Sequence, residues 1–229
     1  MPLLDFNNLI ICNNDSKPEA LKESLDYFSE LGIRRFVVTY GIDPATTTFA
    51  EAKAAIKDFR STVMSVRPRG TELCVYPSVH ISKGVMKNPV LKKLSFDGTR
   101  VFINIPFFID DTWFLADINY LLYKQKLKPV FLSFERNLLT SDYEFGNKLY
   151  KTQSTQFALD LNFITGASGR KRVLQAIYRN VPVIPCVSGA FCNYEYQLRR
   201  FEILKERLGA QDYYRLCRIL AQNGRSLFI

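Results

Sequence analysis

About seven short runs rich in β-branched and aromatic residues alternate along this chain with stretches of helical periodicity, joined by short connections. Strands are expected at Leu3–Ile11, Phe36–Tyr40, Glu72–Ile81, Arg100–Ile105, Pro129–Phe134, Phe157–Phe163 and Val183–Ser188. Between them, Ser16 is the expected cap of a helix that carries Pro18 in its first turn, buries Leu21, Leu25 and Phe28 on one face, and ends at Gly32. Further helices are expected around Phe49–Val66, Gly84–Leu94, Asp111–Gln125, Asp142–Thr152, Arg170–Arg179, Tyr194–Leu208 and Gln211–Gln222. A strand that returns parallel to its predecessor needs a crossover helix, so this alternation specifies a parallel sheet, closed or doubly wound. Neither GxGxxG nor a P-loop follows the first strand, which counts against a nucleotide-binding open sheet.

The sixth strand favours closure. In Phe157–Phe163 the large apolar residues alternate with Ala158, Asp160 and Asn162. Alternate side chains point to opposite faces, so one face is oily and the other small and polar. A barrel lumen that becomes polar at the C-terminal ends of its strands asks for that pattern. At 229 residues, without a linker or repeat, the chain reads as one domain spanning 1–229.

Composition narrows the setting. Five cysteines without paired spacing suggest free thiols in a reducing compartment. The N-terminus lacks a basic region and a long apolar run, and no stretch approaches the roughly 18 apolar residues of a membrane span. A cytoplasmic protein without membrane insertion is the expectation. The formal charge of +9 is spread through small groups, among them Arg67/Arg69, Lys124/Lys126/Lys128, Arg170-Lys171-Arg172 and Arg199-Arg200. These groups are read either as solvated helix faces or as an anion-binding surface.

Several segments, taken in order, resemble the PHP-type protein-tyrosine phosphatases of bacterial capsule and exopolysaccharide operons, within the polymerase-and-histidinol-phosphatase superfamily. LDFNNLI is similar to the family's first strand, LGIRRFVVTY to its second, and LSFDGTRVFINIPF to a segment around its fourth. KPVFLSFERN resembles the motif P-V-x-A-H-x-E-R, and LDLNFITGASGRKRV and AQNGRSLF resemble later stretches. The resemblance implies a PHP-like (β/α)7 barrel, a distorted TIM-type barrel, with a manganese centre in active members. Position by position, the ligands are missing. Asp5 is kept, but Asn7 and Leu9 stand where two histidines are implied. Gly41 stands near a strand-two histidine, Val79 at a glutamate, Ser133 at the histidine of the H-x-E-R motif, and Ser188-Gly189-Ala190 at a late Asp-x-His. Glu135 and Arg136 survive, and the resemblance implies that Arg136 contacts phosphate.

Clusters of hard or borderline divalent ions need convergent carboxylates and imidazoles, and His80 is the single imidazole in the chain. No metal or other cofactor is therefore expected. Substitute chemistries find little support. The residues six after the five cysteines are Pro18, His80, Cys192, Leu198 and Asn223, so the Cys-x5-Arg phosphatase signature is absent. Gly166–Gly169 falls short of a G-x-S-x-G elbow. The expected function is thus that of a non-catalytic pseudo-phosphatase, linked to capsule or exopolysaccharide regulation, which binds an anionic small molecule, a phosphoprotein or another protein partner at the barrel mouth. Candidate ligand contacts are Arg136, Glu135, Ser133, His80, Asn162, Asp160, Asn7, Arg170 and Arg172, several of which serve equally well as structural groups. The Gly166–Gly169 turn with Arg170-Lys171-Arg172 at a helix N-terminus is either scaffold or a phosphate-binding element. Phe107, Phe108 and Trp113 read as buried or as a partner patch. Two alternatives stay open: an active metal-dependent phosphoesterase with a rearranged site, and a basic RNA-binding barrel similar to the RNase P barrel subunit, nucleic acid being the less favoured partner.

Overall fold

Strands with apolar residues on both faces must be covered on both, and this chain achieves it by closing its sheet on itself. The computed structural model describes residues 8–13, 17–105, 111–132, 155–160, 174, 178, 181–188 and 202–228. Seven parallel strands pair in chain order and β1 pairs with β7, so the barrel is closed. They are β1 (Asn8–Asn13), β2 (Arg35–Ile42), β3 (Glu72–His80), β4 (Arg100–Asn104), β5 (Lys128–Leu132), β6 (Gln156–Asp160) and β7 (Val183–Ser188). Helices α1 (Pro18–Glu30), α2 (Phe49–Ser65), α3 (Val90–Leu94), α4 (Asp111–Tyr123) and α5 (Ala210–Gly224) pack outside, with further helical residues at 202–208. The expected helix at Asp142–Thr152 lies outside the described residues, as do all but two residues of Arg170–Arg179.

Two apolar layers follow from the period-two alternation of the strands. The outer layer, between strands and helices, takes Leu9, Ile11, Phe36, Val38, Val75, Val79, Ile103, Phe131, Phe157 and Leu159, together with Leu21, Leu25 and Phe28 of α1 and Phe114, Ile118 and Leu121 of α4. Trp113 also packs on this layer, half-buried and edge-on to Phe114. The lumen is filled by Ile10, Cys12, Val37, Phe102, Val130, Leu132, Ala158, Ile184 and Cys186. Phe96 stacks on Phe102 at 4.7 Å, and Tyr76 packs against both rings. Burial, reinforced by the Cys74 thiol, pushes the Tyr76 hydroxyl up to about 12. The inward placement of Ala158 and the outward placement of Phe157 and Leu159 match the pattern expected of the sixth strand.

Two local expectations need correction. The described part of the first strand, Asn8–Asn13, runs two residues past the expected end at Ile11, because Cys12 continues the lumen face of Ile10. The cap position of α1 is Lys17, which makes no side-chain cap hydrogen bond, so the fixed backbone of Pro18 opens the helix. Helix α2, by contrast, starts in a reciprocal capping box between Thr48 and Glu51. Two of the basic groups, those that lie in described residues, are not on helix faces. Arg67 and Arg69 lie between α2 and β3, Lys124 and Lys126 between α4 and β5, and Lys128 opens β5.

All strands run the same way, so the N-terminal ends form one rim, and the end of the chain closes it. Leu227, in the 3-10 turn Arg225–Leu227, is buried in the lumen layer, and Phe228 packs beside it with the Arg35 guanidinium 5.6 Å from its ring. Arg35 pairs with Glu72, its registered neighbour, at 3.0 Å. Asn8 donates to the Ala221 carbonyl at 3.3 Å, and Asn223 donates to the Val183 carbonyl at 3.2 Å. The turn before β4 is built on Asp97, which accepts from the Thr99 and Arg100 backbone N–H groups and from the Arg100 side chain. Partial burial raises the Asp97 pKa, but hydrogen bonds from Arg100 and Thr99 outweigh it and hold the group at about 2.

Two outcomes are expected. A Cβ at Gly224 would sit 2.9 Å from the Cβ of Asn8, an atom that no rotamer change moves away. Gly224→Ala should cost about 1–3 kcal/mol in urea unfolding, and an unchanged midpoint would show that the α5–β1 contact is looser than described. Asp97 has a folded pKa below its unfolded value of 3.8, so its stabilisation is full above that value and fades as pH falls towards 2. Urea midpoints between pH 5 and pH 2 should therefore fall less steeply in Asp97→Asn than in the parent protein.

Candidate functional site

At the C-terminal rim the inward-facing residues of each strand define a mouth. On β3 the lumen face carries Cys74 and Tyr76, and alternation places Ser78 and His80 on that face too. Val79 is fully buried in the outer layer. The implied correspondence of Val79 with a metal-ligating glutamate is therefore displaced by one residue: a ligand at the end of β3 must come from Ser78 or His80. His80 is exposed and registers with Asn104 at the end of β4. Asn104 donates to the Ser78 hydroxyl at 2.9 Å. Three polar groups on two adjacent strands thus converge at one side of the mouth.

The correspondence at the first strand also changes. Leu9 registers with Phe36 near the start of β2 and faces the helices, so it cannot be a mouth residue. Asn7 is outside the described residues; its neighbour Asn8 is at the N-terminal rim, beside Arg35. The end of β1 that reaches the mouth is Cys12–Asn13, with Cys12 registered against Ser188 and Thr39. Gly41 does belong to the upper part of β2, registered with Ser78.

Asp160 is the other described candidate. It ends β6, is fully buried and registers with Cys186, which puts a carboxylate in the upper lumen. Ser133, Glu135, Arg136, Asn162, Arg170 and Arg172 lie outside the described residues, as do Phe107 and Phe108. Thr39 was not singled out from the sequence. It is fully buried, alternates with Val37 onto the lumen face, and its hydroxyl has no hydrogen-bond partner among the described residues. The two-residue spacing of Val37 and Thr39 within Phe36–Tyr40 carried the necessary signal, as did Phe102 and Asn104 in β4.

The segment that leaves His80 is fixed from outside. Asp117 of α4, almost completely buried, accepts from the Gly84 N–H at 2.8 Å and pairs with Lys87 at 3.1 Å. Gln125 donates to the Met86 and Asn88 carbonyls. The loop behind the imidazole is thereby tied to the helical layer by charge-assisted and neutral hydrogen bonds.

The described part of the mouth does not fit a cluster of hard divalent ions. Its strand ends offer one imidazole, one carboxylate, a thiol, neutral hydroxyl and amide groups, a leucine and a glycine. Among the described residues, no group of three histidine, cysteine, aspartate or glutamate side chains converges in a metal-binding arrangement. What the described mouth provides is hydrogen bonding: an exposed imidazole, an amide paired with a hydroxyl, and an uncommitted buried hydroxyl. No helix among the described residues is long and apolar enough to cross a membrane.

No protein-family model matches the chain, and no curated protein matches it. Solved structures do. A chain from the crystal structures of YwqE from Bacillus subtilis and CpsB from Streptococcus pneumoniae, metal-dependent tyrosine phosphatases, is similar over 92% of this chain and 89% of its own, with a TM-score of 0.61 and 16% identity. Phospho-2-dehydro-3-deoxyheptonate aldolase from Thermotoga maritima is similar over 90% of this chain and 70% of its own, with a TM-score of 0.53 and 14% identity. A truncated form of the Thermotoga maritima synthase gives 0.52 at 13% identity, over 90% of this chain and 88% of its own. At these identities the likeness concerns the fold: a closed α/β barrel shared with tyrosine-phosphatase and aldolase chains.

Proposed function

We propose that this barrel is a non-catalytic relative of the metal-dependent tyrosine phosphatases, which binds a phosphorylated or otherwise anionic ligand at its C-terminal mouth. The carrying observation is the chemistry of the strand ends. Where a metal centre would ask for several convergent carboxylates and imidazoles, the described strand ends bring a single carboxylate, Asp160, beside the hydrogen-bonding groups of His80, Asn104, Ser78 and Thr39. Such groups suit phosphate oxygens and do not assemble hard cations. The net charge of +9 supports an anionic ligand.

In this reading Arg136, Arg170 and Arg172 are the anion contacts, Glu135 orients Arg136, and Ser133, Asn162 and His80 set the ligand's orientation. Phosphotyrosine is the first ligand to test, because the similar chain comes from tyrosine phosphatases. A phosphosugar or phosphoprotein of capsule or exopolysaccharide regulation belongs to the same chemical class.

Titration calorimetry with phosphotyrosine should give saturable binding, weakened roughly ten- to hundred-fold by Arg136→Ala, the loss of a charge-assisted hydrogen bond. Elemental analysis and a manganese-supplemented phosphatase assay belong beside it. Stoichiometric metal with turnover lost in Ser133→Ala would replace this proposal with an active phosphoesterase. Absence of phosphotyrosine binding would remove its basis.

A further inference from the structure

The opposite, N-terminal opening of the barrel contains an arrangement that the mouth does not use. Arg100 opens β4 and Lys128 opens β5, and the two are registered directly against each other. Phe102 and Val130, two residues further along each strand, are lumen residues, so both cations start on the inward face. Like charges directly opposite on adjacent strands repel. Among the described residues one carboxylate is at hand, and it is committed: Asp97 pairs with the Arg100 Nε at 2.6 Å and accepts from the Thr99 hydroxyl and two backbone N–H groups. Lys128 has no ion pair or side-chain hydrogen bond among the described residues, and the Nη2 of Arg100 has no hydrogen-bond acceptor there.

These groups border an open cleft of about 590 Å3, lined by Asp97, Thr99, Arg100, Lys128, Gln156 and Ser226 among others. That volume lies in the range of small-molecule sites. Gln156, on the inward face of β6, donates weakly to the Ser226 hydroxyl at 3.4 Å. Its carbonyl oxygen is buried and has no donor among the described residues. Ser226 cannot provide one, because its hydroxyl already donates to the Asn223 carbonyl at 2.8 Å. Rotation about the last torsion of glutamine is soft, so the amide can turn its oxygen towards the cleft.

A purely structural role explains the Asp97–Arg100 pair, which shapes the turn before β4. It leaves two features without a reason: the second cation beside the first, and a buried acceptor with no donor. One ligand answers both. An anionic group between Lys128 and the free edge of Arg100 offsets their repulsion, and a hydroxyl on the same molecule donates to Gln156. We infer that the N-terminal opening binds a small phosphorylated polyol, of the sugar-phosphate class, with phosphate held by Lys128 and Arg100 and a hydroxyl by Gln156. A bare sulfate satisfies the cations and leaves Gln156 unanswered; a neutral sugar does the reverse.

Glucose 6-phosphate, sulfate and glucose, titrated separately into 15N-labelled protein, form the test. Glucose 6-phosphate should shift the amides of Thr99, Lys128, Gln156 and Ser226 saturably and bind about ten-fold or more tightly than sulfate or glucose. Lys128→Gln, an exposed change that leaves the packing intact, should weaken binding about ten-fold or more. Gln156→Leu should weaken it while holding or raising the melting temperature, because it removes the unsatisfied carbonyl. Arg136→Ala should leave this binding unchanged, which separates the site from the proposed mouth site. Shifts confined to His80 and Asn104, unaltered affinity in Lys128→Gln, or no saturable response to glucose 6-phosphate would each overturn the inference.

Discussion

Closure of a parallel sheet is the constraint from which the rest of this structure follows. Once β1 pairs with β7 the strands have no free edge, and each must present apolar side chains both inward and outward. The outer set is covered by helices, whereas the inner set has to fill its own space. Phe102, Val130, Leu132, Ile184 and the sulfur-bearing Cys12 and Cys186 do so in the middle of the lumen, and Leu227 closes it from below. Polar groups are consequently displaced to the two ends, where strands stop and alternation still directs side chains inward. Both proposed sites sit at those ends for this reason, at opposite openings of one packed core.

The order of strands and helices was legible because period two and period three-and-a-half rarely mimic each other over whole segments. Phe49–Val66 and Arg100–Ile105 were placed to within a residue of α2 and β4. The end of β1 was less legible: Cys12 and Asn13 extend it past Ile11, and a cysteine followed by two asparagines gives composition little reason to continue a strand. On β3 the resemblance set Val79 beside a glutamate, but a shift of one place exchanges the two sides of a strand: Val79 faces the helices, so the mouth position falls to His80 or Ser78. Asp160 was read correctly as belonging to the small, polar face of its strand.

The features that sequence could not disclose are those created by register. Arg100 and Lys128 become neighbours because β4 and β5 start level with each other, and nothing local to either residue announces it. The same holds for the Ser78–Asn104 hydrogen bond and for the contact between Asn8 and the last helix. Among the described basic groups, Arg67, Arg69, Lys124 and Lys126 occupy turns at the N-terminal rim, since helices and strands of an α/β barrel run in opposite directions and return their loops to the same two ends.

The seam between β1 and β7 joins residues as distant in sequence as Ile10 and Cys186, and the final helix then docks onto Asn8. Loop closure over such separations is entropically unfavourable and slow. The cylinder therefore cannot close until its seventh strand is available, and until then β1 and β6 present unpaired edges beside an uncovered lumen face.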